Sequence, residues 1–257
     1  MRPTHPQPLH HRRTLPQLIF HRRIRLVLSV LVGVLLVFLF GSYHPAVRAN
    51  PKVLHAADLP SLQTHPLPVS LQPRATTGGE DYFDQVKPTE VGYLIWSQFP
   101  IKVFVQPSKV NPQAWATATE QVIREWEVYL PLQQVSQVEG ADITLQSEFP
   151  PDQGQGRRVR SAETRYQLYV NPEGVLSQRF TVMVRPNQTP TYLQAALRHE
   201  LGHALGIWGH SPVATDALYF AQVRTPPPIS QRDINTLVKV YTQPTRLGWP
   251  VKASKPD

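Results

Sequence analysis

The chain contains no cysteine among its 257 residues and only two methionines, Met1 and Met183. Without cysteine it forms no disulfides, even in a compartment that would permit them. No histidine lies between His65 and His199, although the chain has ten. Glutamate is absent after Glu200, which excludes any metal site that needs a later glutamate as a ligand.

Acidic residues are absent from the first 49 positions, which hold seven of the 26 lysines and arginines. Residues 50–257 contain the other 19 basic residues against 18 acidic ones, a formal net charge of +1. A nearly neutral domain lacks the basic surface that a nucleic-acid partner requires, so we expect no nucleic-acid binding. The short basic run at Arg157, Arg158 and Arg160 is interpreted as a solvated loop.

The N-terminal charges flank an apolar segment. Three arginines precede an uncharged run over 26–40. Residues 1–25 are predicted to be a basic cytoplasmic n-region. Residues 26–42 are predicted to be a transmembrane anchor or a signal peptide, because the apolar run is longer than a typical signal-peptide core and shorter than a full transmembrane helix. Cleavage near Ala49 would give a secreted protein, whereas an uncleaved segment would anchor the protein in the membrane. In both cases the C-terminal domain is exported.

Prolines dominate the next segment. Seven of them lie within 43–92, which lacks sustained periodicity and is therefore predicted to be an extended linker or a propeptide. Its histidines, His55 and His65, are expected to be solvated. The acidic cluster over 80–84 could supply a carboxylate that keeps a metal site latent, but a solvated linker is the simpler interpretation.

Residues 93–245 carry the patterns of a folded domain, followed by a C-terminal tail over 246–257. Alternating apolar residues predict strands at 101–105, 142–146, 166–170 and 180–184, the last two forming a hairpin around 171–174. A helix is predicted after Asn111, its N-cap, with Pro112 at the first position. Its expected buried stripe is Trp115, Ala118, Val122, Trp126 and Tyr129.

The last three histidines fall within one stretch, HELGHALGIWGH, at 199–210. A helix is predicted over 190–205, because Thr189 can cap it and apolar residues recur at helical spacing. His199 and His203 then lie one turn apart and face the same side, so both imidazoles can bind one zinc ion.

The residues around this pair predict the rest of a catalytic site. Glu200 lies beside the first ligand, where its carboxylate can take a proton from a zinc-bound water. Gly206 can end the helix and let His210 approach the same ion. Asp216 is the alternative third ligand.

At these residues the chain resembles the metzincin metallopeptidases, in particular the matrixin-like group, whose motif is HExxHxxGxxH followed by a methionine turn. His199, Glu200, His203 and Gly206 match the motif position by position. His210 comes one residue later than the third histidine of the motif, an insertion that a turn containing glycine absorbs easily.

Two further segments take part in the resemblance. Leu218 stands where matrixins have the methionine of their turn, and we expect it to be an apolar substitute beneath the ligands. The segment 229–241 is similar to the matrixin C-terminal helix. It also predicts a helix by itself, with Ser230 as N-cap and Asp233 in a capping-box arrangement.

The resemblance implies an α+β, zincin-like catalytic domain with a mixed, mostly parallel β-sheet, an active-site helix and a C-terminal helix. It implies one catalytic Zn²⁺, Glu200 as general base and a protein or peptide substrate. In the family the strand before the active-site helix often borders the cleft, so 180–185 is expected either to pair with a peptide or to be a protected edge. Tyr219 and Phe220 would form a pocket wall or pack in the core.

A second class of function stays open. The domain could be a non-catalytic, zinc-containing binding module of the cell envelope with the same fold. The retained Glu200 argues against this class, because a site without catalysis does not need that carboxylate. The residues give no basis for assigning a structural calcium ion.

Overall fold

The computed structural model describes residues 58–75, 78–151 and 160–252. All of them belong to the second of two compact units, which spans Leu54–Asp257. The n-region predicted over 1–25 and the anchor or signal peptide predicted over 26–42 lie outside the described residues. Within the described part of the chain, no helix is long and apolar enough to cross a membrane.

The described chain forms a five-stranded mixed sheet and four helices. The strands are β1 (Ile101–Val105), β2 (Leu132–Val135), β3 (Ile143–Gln146), β4 (Ala162–Val170) and β5 (Leu176–Val184), in the order β2-β1-β3-β5-β4. The helices are α1 (Gln72–Ala75), α2 (Pro112–Glu127), α3 (Pro190–Ala204) and α4 (Gln231–Tyr241). All neighbouring strands are parallel except β4, which pairs antiparallel with β5. The predicted α+β class with a mostly parallel mixed sheet is therefore confirmed.

The strands follow from alternating burial. Ile101 and Val103 of β1 are fully buried, as are Ile143 and Leu145 of β3, so the predicted apolar positions form the core face. Strand β2 was not predicted, because its sequence LQQV buries only Leu132 and has no repeated alternation. It lies at one edge of the sheet, where a single buried face needs few apolar residues.

The predicted hairpin joins β4 to β5. Asn171 Oδ1 accepts a hydrogen bond from Val175 N at 2.8 Å, and Gly174 adopts a left-handed φ of 78°. This turn fixes the register in which Val170 lies opposite Leu176. Both strands extend beyond the predicted segments by several residues, because hairpin pairing continues through polar positions whose burial is only partial.

The expectation that 180–185 borders the substrate cleft as an edge strand is wrong. Strand β5 lies inside the sheet, since it pairs with β3 on one side and with β4 on the other. Val182, Met183 and Val184 are all buried although they are consecutive, which is typical of a strand covered on both faces. The edge on this side of the sheet is β4.

Helix α2 has the predicted buried stripe, and its Trp115, Ala118, Val122 and Trp126 are all buried. Tyr129 is half-buried beyond the helix end. Asn111 precedes the helix in a left-handed conformation but makes no side-chain capping bond. The helix packs on α3, where Trp126 Nε1 donates to the Arg198 carbonyl at 3.0 Å. The Arg198 guanidinium binds both oxygens of Glu125, at 2.6 and 3.0 Å, and so fixes α3 next to its first histidine.

The described parts of the predicted linker, residues 58–75 and 78–92, do not extend away from the domain but pack on it. Leu71, Tyr82, Val86 and Val91 are buried. His65, which was expected to be solvated, stacks on Trp249 with ring centroids 4.4 Å apart and bonds the Leu247 carbonyl at 2.8 Å. These contacts also tie part of the predicted tail to the domain. The sequence did not predict this packing, because isolated apolar residues without periodicity give no signal of burial. The interpretation of this segment as a propeptide stays a prediction.

Helix α3 approaches the loop after it closely at Gly202. A Cβ at this position would lie 2.8 Å from Leu218 Cδ2 and 3.0 Å from Trp126 Cζ2. Leu218, which is expected to replace the methionine of the turn, is fully buried there and packs directly against α3.

This close packing predicts that Gly202→Ala has opposite effects on stability in the wild type and in a Leu218→Ala variant. Gly202→Ala should destabilise the wild-type domain by about 1–2 kcal/mol, because overpacking outweighs the better helix propensity of alanine. In a Leu218→Ala background the same change should be neutral or stabilising by up to about 1 kcal/mol, since the new methyl fills the cavity. Urea denaturation of the four proteins measures both effects. An equal change in both backgrounds would contradict the contact.

Candidate metal centre

Helix α3 brings the first two histidines together. His199 and His203 are one turn apart, and their Nε2 atoms lie 3.1 Å from each other. Two imidazole ligands of a tetrahedral zinc ion, each at about 2.0–2.1 Å from the metal, lie about 3.3–3.4 Å apart. The observed separation is therefore close to that of a pair of ligands on one ion.

The chain turns back after α3 and delivers His210 to the same point. Gly206 has a φ of 127°, a conformation that favours glycine, and its N–H donates to the His203 carbonyl at 3.1 Å. Gly209 packs so tightly that a Cβ would collide with the backbone oxygen of Gln85. The ligand atoms of the three histidines all lie within 4.8 Å of one another. The turn thus brings His210 to the first two histidines.

Two of the three rings are oriented by backbone carbonyls. His199 Nδ1 donates to the Ala217 carbonyl at 2.9 Å, and His203 Nδ1 donates to the Ile207 carbonyl at 2.7 Å. A carbonyl can only accept, so these bonds place the proton on Nδ1 and leave the lone pair of Nε2 available to a metal.

The protonation states of His203 and His210 also favour metal binding. Burial lowers the pKa of His203 well below its usual range, and the neighbouring His199 and His210 lower it further. The pKa of His210 is lowered to about 4, mainly by burial and secondarily by His199. Both imidazoles are therefore neutral at physiological pH, which is the form that binds metals.

A carboxylate on α4 holds the loop that orients His199. The Asp233 side chain is fully buried and its Oδ2 accepts from Ala217 N at 2.9 Å and Ser230 N at 2.8 Å. Its Oδ1 accepts from the Tyr82 hydroxyl at 2.6 Å. The predicted capping box at Ser230 is present. The second role of Asp233, in holding the Ala217 backbone, was not predicted, because it depends on a contact across 16 residues.

Asp216, the alternative third ligand, is engaged elsewhere. It is buried, and it accepts hydrogen bonds from Ser211, from the Ser230 hydroxyl at 2.8 Å and from Arg232 Nε at 3.0 Å. The cluster of potential metal ligands among the described residues consists of His199, His203 and His210 alone. The geometry therefore favours His210 as third ligand.

The acidic cluster over 80–84 does not supply a carboxylate to the histidines. Glu80 pairs with Arg232 at 2.7 Å, and Asp81 pairs with Lys239 at 2.6 Å. Tyr82 N donates to the Thr236 hydroxyl at 3.0 Å. In this structure the cluster fastens the chain to α4, and the idea that it occupies the metal position is not supported.

Glu200 lies beside the ligands with little exposure, since 9% of its surface is accessible. Its Oε2 accepts a hydrogen bond from the Thr164 hydroxyl of β4 at 2.6 Å. Burial raises the pKa of Glu200, while the neighbouring His199 and the hydrogen bond from Thr164 act in the opposite direction. Thr164 was missed in the sequence, because nothing in a strand pattern shows which helix residue its side chain meets.

The histidines and Glu200 open onto a cleft of about 850 Å³. The first residues of β4 form one side of it and the segment after Asp216 forms the other. Tyr219 and Phe220 both line the cleft, and Phe220 is 64% exposed, so the pocket-wall alternative fits better than core packing. Arg160 is an exposed cleft residue, while Arg157 and Arg158 lie outside the described residues.

The zinc content of two variants distinguishes His210 from Asp216 as the third ligand. His210→Ala should lower zinc affinity at least about 100-fold, because a three-histidine site loses one direct ligand. Asp216→Asn should retain one zinc per chain, since that carboxylate bonds to Ser211, Ser230 and Arg232. Metal analysis after dialysis against a competing chelator measures both variants. Loss of zinc in the aspartate variant alone would reverse the assignment.

The comparisons with known proteins assign no family. No model of a known protein family matches the chain, and no curated protein matches it significantly.

Proposed function

We propose that this chain is an exported zinc-dependent endopeptidase with a zincin-like domain of the metzincin, matrixin-like type. One arrangement carries the proposal. The ligand atoms of His199, His203 and His210 converge, and the buried carboxylate of Glu200 lies beside them at an open cleft. The mixed sheet, together with α3 as the helix that carries His199 and His203, supports the same interpretation.

The donor set suits zinc. Three neutral imidazoles are the ligand set of many catalytic zinc sites, and they leave one position of a tetrahedron open. The carbonyl partners of His199 and His203 are the outer contacts that usually fix such ligands. When bound, the ion supplies a Lewis acid that makes a water more acidic and polarises the carbonyl of the scissile peptide bond.

Glu200 is the group that moves the proton. Its carboxylate adjoins the ligands without belonging to their cluster, so it is available as general base for the attacking water. The same carboxylic acid then returns the proton to the leaving amine, which completes hydrolysis with no net proton change on the protein. The raised pKa of Glu200 brings the group closer to the operating pH, which improves a residue that must both accept and donate.

Strand β4 offers a surface for an extended peptide. Arg185 N bonds the Ser161 carbonyl, and Asn171 N bonds the Val175 carbonyl, so the odd-numbered residues of β4 direct their main chain toward β5. The main-chain groups of Ala162, Thr164 and Tyr166 then face the outer edge. Within the described part of the chain no strand pairs with that edge. Its first residues line the cleft, which fits a peptide bound by backbone hydrogen bonds.

The location of the activity follows from the N-terminal segment. The apolar run within 26–42 would insert into the membrane, and the domain would act outside the cytoplasm, anchored or released near Ala49. A protein or peptide in that compartment is the proposed substrate.

The test is cleavage of a broad peptide library by the full chain in mild detergent, beside a chelator-treated sample and Glu200→Ala. Wild type should cut internal peptide bonds. Glu200→Ala should keep one zinc per chain and lose at least about 10³-fold in kcat/KM, because it lacks the general base. If zinc is bound but nothing is cut, the non-catalytic binding module is favoured. Loss of zinc in Glu200→Ala would mean that the carboxylate is a ligand.

Pairing of the peptide with β4 predicts an alternating pattern. Single N-methylation of a cleaved peptide should lower kcat/KM about 10-fold at every second residue, because each lost donor faces a main-chain acceptor of the strand. Methylation at the residues between them should have little effect. Rates measured over the series would contradict the pairing if they fell smoothly with distance from the scissile bond.

A further inference from the structure

The Thr164 hydroxyl makes a contact that neither the metal ligands nor the core requires. Thr164 lies on β4 opposite Val182 of β5, and its Oγ1 is 2.6 Å from Glu200 Oε2 and 3.0 Å from the Glu200 carbonyl oxygen. A hydroxyl has one proton, and the charged oxygen at the shorter distance is the stronger acceptor. The threonine therefore donates to the carboxylate of the proposed general base.

This bond makes the two oxygens of Glu200 different. Oε2 is occupied by Thr164, whereas no hydrogen bond from the described residues reaches Oε1. A carboxylate whose one oxygen is fixed can accept a further proton on the other oxygen without losing its first partner. The threonine thus selects the oxygen that can react.

We infer that Thr164 is a positioning residue for Glu200: its hydroxyl holds Oε2 so that Oε1 takes the proton from water and returns it to the leaving amine. The inference rests on the proposed function, and it assigns a role to a strand residue outside the HExxH segment. Thr164 itself exchanges no proton with the substrate and keeps its own throughout.

A glutamate side chain has three rotatable bonds and can adopt several rotamers. A hydrogen bond to one carboxylate oxygen restricts Glu200 to the rotamer in which it lies beside the histidines. Threonine is β-branched and has a restricted χ1 in a strand that the hairpin keeps in register, so its hydroxyl is itself well placed. Rigid placement of a catalytic group lowers the barrier through orientation.

Kinetics of two substitutions test the role. Thr164→Val keeps the shape and removes the hydroxyl, and it should lower kcat about 10- to 100-fold with KM within about twofold. Thr164→Ser keeps the hydroxyl and should recover most of kcat. Thr181→Val on β5 is the matched control and should keep wild-type kcat. Zinc content and melting temperature should be unchanged in all three, so that a loss of kcat cannot be ascribed to misfolding.

A binding cycle tests the same inference without turnover. A peptide hydroxamate places a proton donor beside Glu200 when it binds the metal. Thr164→Val should weaken its affinity about 10-fold in the wild-type background and not at all in a Glu200→Ala background, because the threonine acts only through that carboxylate.

The two experiments keep the inference separate from the proposed function. If the wild type cleaves no peptide, the endopeptidase proposal fails while the binding cycle still decides whether Thr164 positions Glu200. An equal loss of hydroxamate affinity in both backgrounds would overturn the inference, and so would an unchanged kcat in Thr164→Val. Coupling in the cycle together with rescue of kcat by serine would establish it.

Discussion

The hydrogen bonds of the buried Asp233 carboxylate are the interactions on which the site depends most. A charge removed from water is tolerated only when both of its oxygens are hydrogen-bonded, because desolvation otherwise costs several kcal/mol. Asp233 meets this condition with donors from three separate parts of the chain, namely Tyr82, the Ala217 backbone and the start of α4. The Ala217 carbonyl in turn orients His199. His199 is therefore held in place by a helix that begins more than 30 residues after it.

The convergence of the three histidines could be predicted because their spacing is encoded locally. The spacing of His199 and His203 is sufficient to place two rings on one side of a helix, whatever the helix packs against. Gly206 then makes the turn that brings His210 back. The groups that hold these ligands could not be predicted, because Thr164 and Asp233 reach the site through contacts between distant segments. A strand or helix pattern shows which face is buried but not which residue it meets.

The sheet shows the same limit. Alternation correctly predicted β1, β3 and the hairpin, yet it could not show that β5 lies inside the sheet and β4 at its edge. A period of two is the same for an interior and an edge strand, and only the apolar run at the end of β5 indicates burial on both faces. The segment 58–92 is a further case, since its buried residues Leu71, Tyr82 and Val86 occur without any period. Proline content there reflects irregular backbone rather than the absence of packing.

The hairpin at 171–174 determines which side chain of β4 reaches Glu200. Its turn places Val170 opposite Leu176, and the same register puts Thr164 opposite Val182. In a strand a slip by one residue moves every side chain to the other face, so Glu163 or Arg165 would then occupy the place of Thr164. Glutamate would bring a like charge to Glu200, and arginine would pair with its carboxylate. The turn therefore determines which side chain contacts Glu200 although it lies at the far end of the strand. Strand register shapes the site as much as the histidine spacing does.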